Sequence, residues 1–215
     1  MTYLELVNAV LRRLRVDQVN SVAETDYSLL IGDFINDAKA DVEVAWDWSA
    51  LRTTLTVSTT ASIFNYALTG SQNNIKVLDV INDTSNSFMQ YRDSHWMNNV
   101  FLNNDPAVGI PHYYSFNGVD VNGDTLVDVY PIPESAYELR FNVILRNPEL
   151  VLDTDSLLIP SKPIIHLALA LAARERGETG GTTTPEYFAV ADRYLANAVA
   201  MDANKHPEEL IFREV

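Results

Sequence analysis

The sequence contains no cysteine. That excludes disulfides, thiolate nucleophiles and cysteine-based zinc clusters, and it leaves the redox compartment open. Positive charge is scarce: 15 Lys and Arg stand against 29 Asp and Glu, a formal net charge of −14. Such a balance argues against a surface built to grip phosphate, and favours solubility or a basic partner. Long apolar runs are also missing. The longest, Ile164 to Ala173, is too short to span a bilayer. Met1 is followed by Thr2-Tyr3-Leu4-Glu5, not by a basic segment and an apolar stretch. The expectation is a soluble protein made in the cytoplasm, with no membrane partner. The four histidines, His95, His112, His166 and His206, show no ligand spacing. There is no Gly-x-Ser-x-Gly elbow, and the glycines of 177–181 lack the lysine of a phosphate loop. The sequence therefore points away from catalysis, metals and cofactors.

The organising stretch is Asp26 to Trp48. Tyr27, Leu30, Ile31, Phe34, Ile35, Ala38, Val42, Ala45 and Trp46 fall in one arc at helical spacing and predict a long amphipathic helix. Its acids Asp33, Asp37 and Asp41 recur at i, i+4, which destabilises an isolated helix by a few tenths of a kcal/mol. They map to the edge of the arc, with Asp41 inside it, so contact with a neighbouring subunit or partner is expected. Before this helix, Thr2 and Glu5 form a capping-box pattern, and Leu4, Val7, Leu11 and Leu14 predict a buried stripe. Arg12, Arg13 and Arg15 suit that helix's negative pole.

From Leu51 the period becomes two. Leu51–Val57, Ser62–Leu68, Ile75–Ile81 and Phe88–Arg92 read as strands, followed by a short helix capped at Asp93-Ser94 and a loop from Asn103 to Pro111. His112 to Pro133 reads as a hairpin turning at Asn122-Gly123 in type I′ geometry, and Tyr137–Arg146 as a last strand. Strands without long intervening helices imply antiparallel pairing. A third long helix is expected from a Ser161 cap to a Gly177 stop, apolar on nearly every side, which places it within its own bundle or between subunits. A fourth starts at Thr184 and ends before Pro207. The fold class is thus α+β: terminal helices packed as a four-helix bundle, with an antiparallel β-sheet or sandwich domain inserted between the second and third. The expected divisions are a helical domain of 1–50 with 150–205, a β-domain of 51–149, and a C-terminal arm of 206–215 carrying Leu210, Ile211 and Phe212.

Asp120-Val121-Asn122-Gly123-Asp124 invites a calcium-loop reading, but the glycine and the twelfth position do not fit an EF-hand, and the hairpin accounts for the same residues. Trp46 and Trp48 read as anchors at the joint between helix and sheet.

Residues 26–54, the hairpin YYSFNGVDVNGDTLVDVYPIP (113–133), YELRFNV (137–143) and the opening TYLELVNAVLRRL together resemble the head-to-tail adaptors of short-tailed bacteriophages, the tail tubular protein A type. The resemblance implies a non-enzymatic virion protein at the head–tail junction, forming a twelve-fold ring. One face would dock on the portal protein and the other receive the tail nozzle protein, with DNA passing through the channel without specific binding. Ring closure needs a heterologous contact. The acids Asp33, Asp37 and Asp41 set against Arg12, Arg13, Arg15, Arg174 or Arg176 would supply it, and Leu210, Ile211 and Phe212 would reach a neighbour. Two other function classes compete. One is a β-sandwich module binding host glycan through Trp96, Tyr113 and Tyr114. The other is a hydrolase acting on cell wall or glycan through a carboxylate pair roughly 5–10 Å apart in a cleft; acids paired in sequence, such as Asp153 and Asp155, carry little information in so acidic a chain.

Overall fold

A computed structural model describes residues 1–72, 74–102, 105–177 and 183–205. The chain is α+β, with five α-helices among the described residues and mainly antiparallel sheets. It divides into two compact units, residues 1–51 with 147–215, and residues 52–146.

In the helical unit, α1 (Tyr3–Arg13) opens on the anticipated capping box: the Thr2 amide donates to Glu5 Oε2 at 2.9 Å and the Glu5 amide to Thr2 Oγ1 at 3.3 Å. Its buried face is Tyr3, Leu6, Val7, Val10 and Leu11, while Leu4 and Leu14 are only half-buried. The stripe is rotated from the expected one because the amides of Tyr3 and Leu4 donate to the carbonyls of Asp155 and Asp153. That strap turns Tyr3 inward.

Helix α2 (Asp26–Ala45) buries Ser28, Ile31, Gly32, Ile35, Ala38, Lys39, Val42 and Glu43. This arc is also turned from the predicted one, and Asp33, Asp37 and Asp41 all lie outside it, exposed. Asp41 in the buried face is therefore a correction. The cause is Gly32, where an added Cβ would collide with the Tyr3 hydroxyl and come within 3.1 Å of Val22 Cγ1. The helix presents its smallest residue at the closest approach.

Helix α4 (Ser161–Glu175) contacts α1, α2 and α5 (Thr183–Ala203). Its apolar run needs no second subunit to be covered: Ile164, Ala168, Ala170, Ala172 and Ala173 are fully buried within this unit. Each large apolar side chain so buried contributes roughly 1.5–3 kcal/mol before entropy. Ser161 does not cap the helix, as expected from sequence; Pro160 holds that position and offers no side-chain hydrogen bond. Gly177 does end it, at φ +68°.

In the β unit, β1 (Arg52–Ser58), β10 (Glu138–Leu145), β3 (Ile75–Asn82) and β4 (Ser87–Phe88) form one sheet in that order. The second runs β2 (Asn65–Ala67), β8 (Thr125–Tyr130), β7 (Tyr113–Val119), β5 (Gln90–Tyr91). Val57, Val80, Leu139, Phe141 and Val143 from the first sheet and Tyr114, Val127 and Val129 from the second share one core. The strand predicted over Phe88–Arg92 is split: β4 belongs to one sheet and β5 to the other, with Met89 buried at the crossing and its amide donating to the Val80 carbonyl at 2.8 Å. Two pairings depart from the antiparallel expectation. β5 runs parallel to β7, and β6 (Val108–Gly109) parallel to β9 (Ile132–Pro133), because each is a short return segment rather than half of a hairpin.

The β7–β8 turn is also a correction. The Gly123 amide donates to the Asp120 carbonyl at 3.1 Å, so Val121 and Asn122 are the central pair and Gly123 follows at φ +84°. This is a three-residue loop with a glycine bulge, not a type I′ turn. Asp120 drives the choice, since its Oδ1 accepts from the amides of Asn122 at 2.8 Å and Asp124 at 2.9 Å. Those bonds hold the Asp120 carboxyl below its ordinary range.

Candidate subunit-interaction surface

The predicted contact residues with described positions lie in the helical unit, and charge there is sorted along α1. Around its first turn stand Asp33, Glu149 and Asp153; burial first, then these three charges, push the Tyr3 phenol up to about 12. At its other end Arg12, Arg13 and Arg15 are exposed, Arg15 at φ +57° past the helix terminus. Helix α4 brings its own C-terminal arginines to the same end: Arg176 Nη1 lies 3.5 Å from the Leu14 carbonyl, and its guanidinium sits 4.8 Å from the Tyr27 ring centroid. Arg174 lies over Phe188 at 5.9 Å. Among the described residues, no ion pair involves Asp33, Asp37, Asp41, Arg12, Arg13, Arg15, Arg174 or Arg176. Leu210, Ile211 and Phe212 lie outside the described residues.

The basic side continues around His166, which stacks on Tyr194 with centroids 4.4 Å apart and planes at 18°. Burial lowers the His166 pKa, and Arg13, Arg193 and Lys162 lower it further. His166 is a half-buried stacking partner near cations. Among the described residues, no group of three His, Asp or Glu is arranged to hold a metal ion.

Other carboxylates that invited chemistry are occupied structurally. Asp153 Oδ1 accepts from the Val22 amide at 3.0 Å, and Asp155 Oδ2 from the amides of Val151 and Leu152 at 2.8 Å. Asp124 Oδ1 accepts from the amides of Gly70 at 3.0 Å and Gln72 at 3.2 Å. These groups brace loops. The glycan reading also weakens: Tyr114 is 8% exposed and lies in the shared core, while Trp96 packs on Tyr113 and Tyr130 under Arg92.

Two structural details were not visible in the sequence. Lys39 and Glu43 are both 4% exposed and pair at 3.1 Å, with Lys39 Nζ also donating to the Asn147 carbonyl at 2.8 Å. The i, i+4 spacing was there to be read, but its burial was not. Asp202, near the end of α5, accepts from the Ser49 hydroxyl at 2.6 Å, the Ser49 amide at 2.9 Å and Trp46 Nε1 at 3.2 Å. Trp48 is buried and donates to the Val42 carbonyl at 2.7 Å. The two tryptophans therefore anchor the end of α2 within the helical unit.

No helix among the described residues is long and apolar enough to cross a membrane. No curated protein is significantly similar to the chain. A family model does match it, over residues 1–208, under the description SU10 adaptor protein, in agreement with the resemblance drawn from the sequence. The chain belongs to this family of phage head-to-tail adaptors, a structural family associated with portal and tail components at the head–tail junction of the virion.

Proposed function

We propose that this chain is a non-enzymatic ring subunit that joins the portal to the tail nozzle and lines the channel through which DNA leaves the head, with twelve copies per ring. The carrying observation is the sorting of charge in the helical unit that forms no ion pair among the described residues: Asp33, Asp37 and Asp41 on α2, and Arg12, Arg13, Arg15, Arg174 and Arg176 at the joined ends of α1 and α4. Two unlike patches on one subunit are what a closed heterologous ring requires. In this reading α1, α2, α4 and α5 act as a four-helix bundle carrying an inserted β-sandwich, with the divisions 1–50 with 150–205, 51–149, and an arm at 206–215 that reaches portal or neighbour. The net charge of −14 suits a channel that DNA slides through without phosphate grip. Synthesis takes place in the host cytoplasm and assembly on the portal.

The test is to mix the protein with its portal and image the product. A ring on the portal vertex supports the reading, and copies counted other than twelve correct its stoichiometry. Changing Asp33, Asp37 and Asp41 together to Lys should abolish ring closure while the subunit stays folded. An unaffected ring would show that the contact lies elsewhere.

A further inference from the structure

A groove of about 420 Å³ lies in the helical unit beside the first turn of α1, where Tyr3 lines it. Leu29 of α2 and Val151 and Leu152 supply its apolar wall, and they are 45%, 74% and 63% exposed. Single exposed apolar residues are ordinary, but three lining one groove mark an interaction surface. The last two are held in place. The amides of Val151 and Leu152 both donate to Asp155 Oδ2 at 2.8 Å, and the amides of Tyr3 and Leu4 strap this segment to α1 through the carbonyls of Asp155 and Asp153. Asp33, Glu149 and Asp153 line the same groove, and none forms an ion pair among the described residues. Fixed apolar side chains among unneutralised acids fit a partner that combines arginine with apolar residues.

The chain carries such a surface at the opposite end of the same helix. Arg12, Arg13 and Arg15 are exposed there, interleaved with the half-buried Leu14 and Val16. We infer that the basic end of α1 in one copy seats in this groove of the next, with Arg12 and Arg15 toward Glu149 and Asp33, and Leu14 and Val16 toward the apolar wall. The inference rests on the ring reading above and names its contact; of the three α2 acids it uses Asp33 alone. Charge complementarity selects a second copy as the occupant, since the surface that matches the groove belongs to this chain. Length excludes the same copy. Helix α1 has 11 residues, about 16 Å from end to end, too far for arginines at its last turn to reach a groove at its first. Unlike patches at the two ends of one rigid helix also set the symmetry. Each contact leaves one basic end and one groove open, so pairing proceeds head to tail and is satisfied throughout only when the ring closes.

The full chain assembled on its portal provides the test, and the absence of native cysteine simplifies it. In Arg12→Cys combined with Leu152→Cys, a short bismaleimide should join copies into a ladder that climbs to the mass of the whole ring, whereas each single variant should stay at monomer mass. Asp33→Arg with Glu149→Arg should lower ring occupancy on the portal roughly tenfold or more, and adding Arg12→Glu with Arg15→Glu to that chain should restore most of it. All these side chains are exposed in the single chain, so none of the changes empties its core. Rings that image normally yet give no ladder, or that ignore Asp33→Arg with Glu149→Arg, would overturn the inference, assign the groove to portal or nozzle, and leave the ring reading standing. A charge swap that restores nothing would overturn it as well, as would dimers from either single-cysteine variant, which require like patches to meet. If the unaltered protein forms no ring at all, the reading beneath it falls and this contact falls with it.

Discussion

Removing the Asp202 carboxylate tests how the end of α5 holds the corner after α2. The side chain is 5% exposed, and it accepts from the Ser49 hydroxyl, the Ser49 amide and Trp46 Nε1, with Lys205 at 2.9 Å. In Asp202→Ala, the Ser49 amide and the Trp46 indole lose their acceptor. A part-buried donor left unpaired costs roughly 1–3 kcal/mol, while the exposed lysine adds little. The expected loss is about 3 kcal/mol, a drop in urea midpoint of about 1–2 M at ordinary denaturant slopes. Asp202→Asn keeps one acceptor oxygen and should lose about half as much. The assay is urea unfolding followed by tryptophan fluorescence in a Trp96→Phe background, so that Trp46 and Trp48 report. pH supplies a second arm. Burial raises this carboxyl, but the Ser49 donors and Lys205 outweigh it and hold it far below the ordinary range. Its folded pKa being depressed, its contribution is complete above the ordinary carboxylate value of about 4 and is lost as pH falls below it. The gap between the parent and Asp202→Asn should therefore shrink between about pH 5 and pH 2. An Asp202→Ala protein within about 0.5 kcal/mol of the parent would refute the reasoning, since that is the range of featureless surface changes.

Gly32→Ala would gain about 1 kcal/mol in an open helix, but here it meets Tyr3 and Val22, and overpacking of about 1–3 kcal/mol should make it net destabilising. Combining it with Tyr3→Phe should return part of the loss in thermal unfolding. Lys39→Met strips the buried Glu43 of its ammonium and should cost about 3–5 kcal/mol, whereas Lys39→Met with Glu43→Leu should recover most of it by urea titration. Gly123→Ala forces a side chain into φ +84° and should cost about 1–2 kcal/mol by the same measurement.

What could be read from sequence followed how local each signal was. The Thr2–Glu5 box, the Asp93 cap on α3 (Ser94–Phe101), whose Oδ1 takes the Trp96 amide at 2.7 Å, and the Gly177 stop are written within a few residues. The buried arcs of α1 and α2 were displaced because a distant strap at residues 153–157 and a missing side chain at Gly32 set the rotation. Hydrophobicity alone ranks Ser28 and Lys39 as outward-facing, yet each is buried with hydrogen-bond partners from elsewhere in the chain. Strands of two or three residues, such as β5 and β6, carry no period to detect. Asp202 was invisible for the same reason as the split at Met89: its meaning comes from Ser49, 153 residues away.

The crossing at Met89 has a mechanical consequence. Within four residues the backbone is stitched first into one layer of the β unit and then into the other. Sliding the layers past each other would have to drag a seated thioether through the interior while stretching a covalent tether almost without slack. The unit is thus built to resist shear between its two layers.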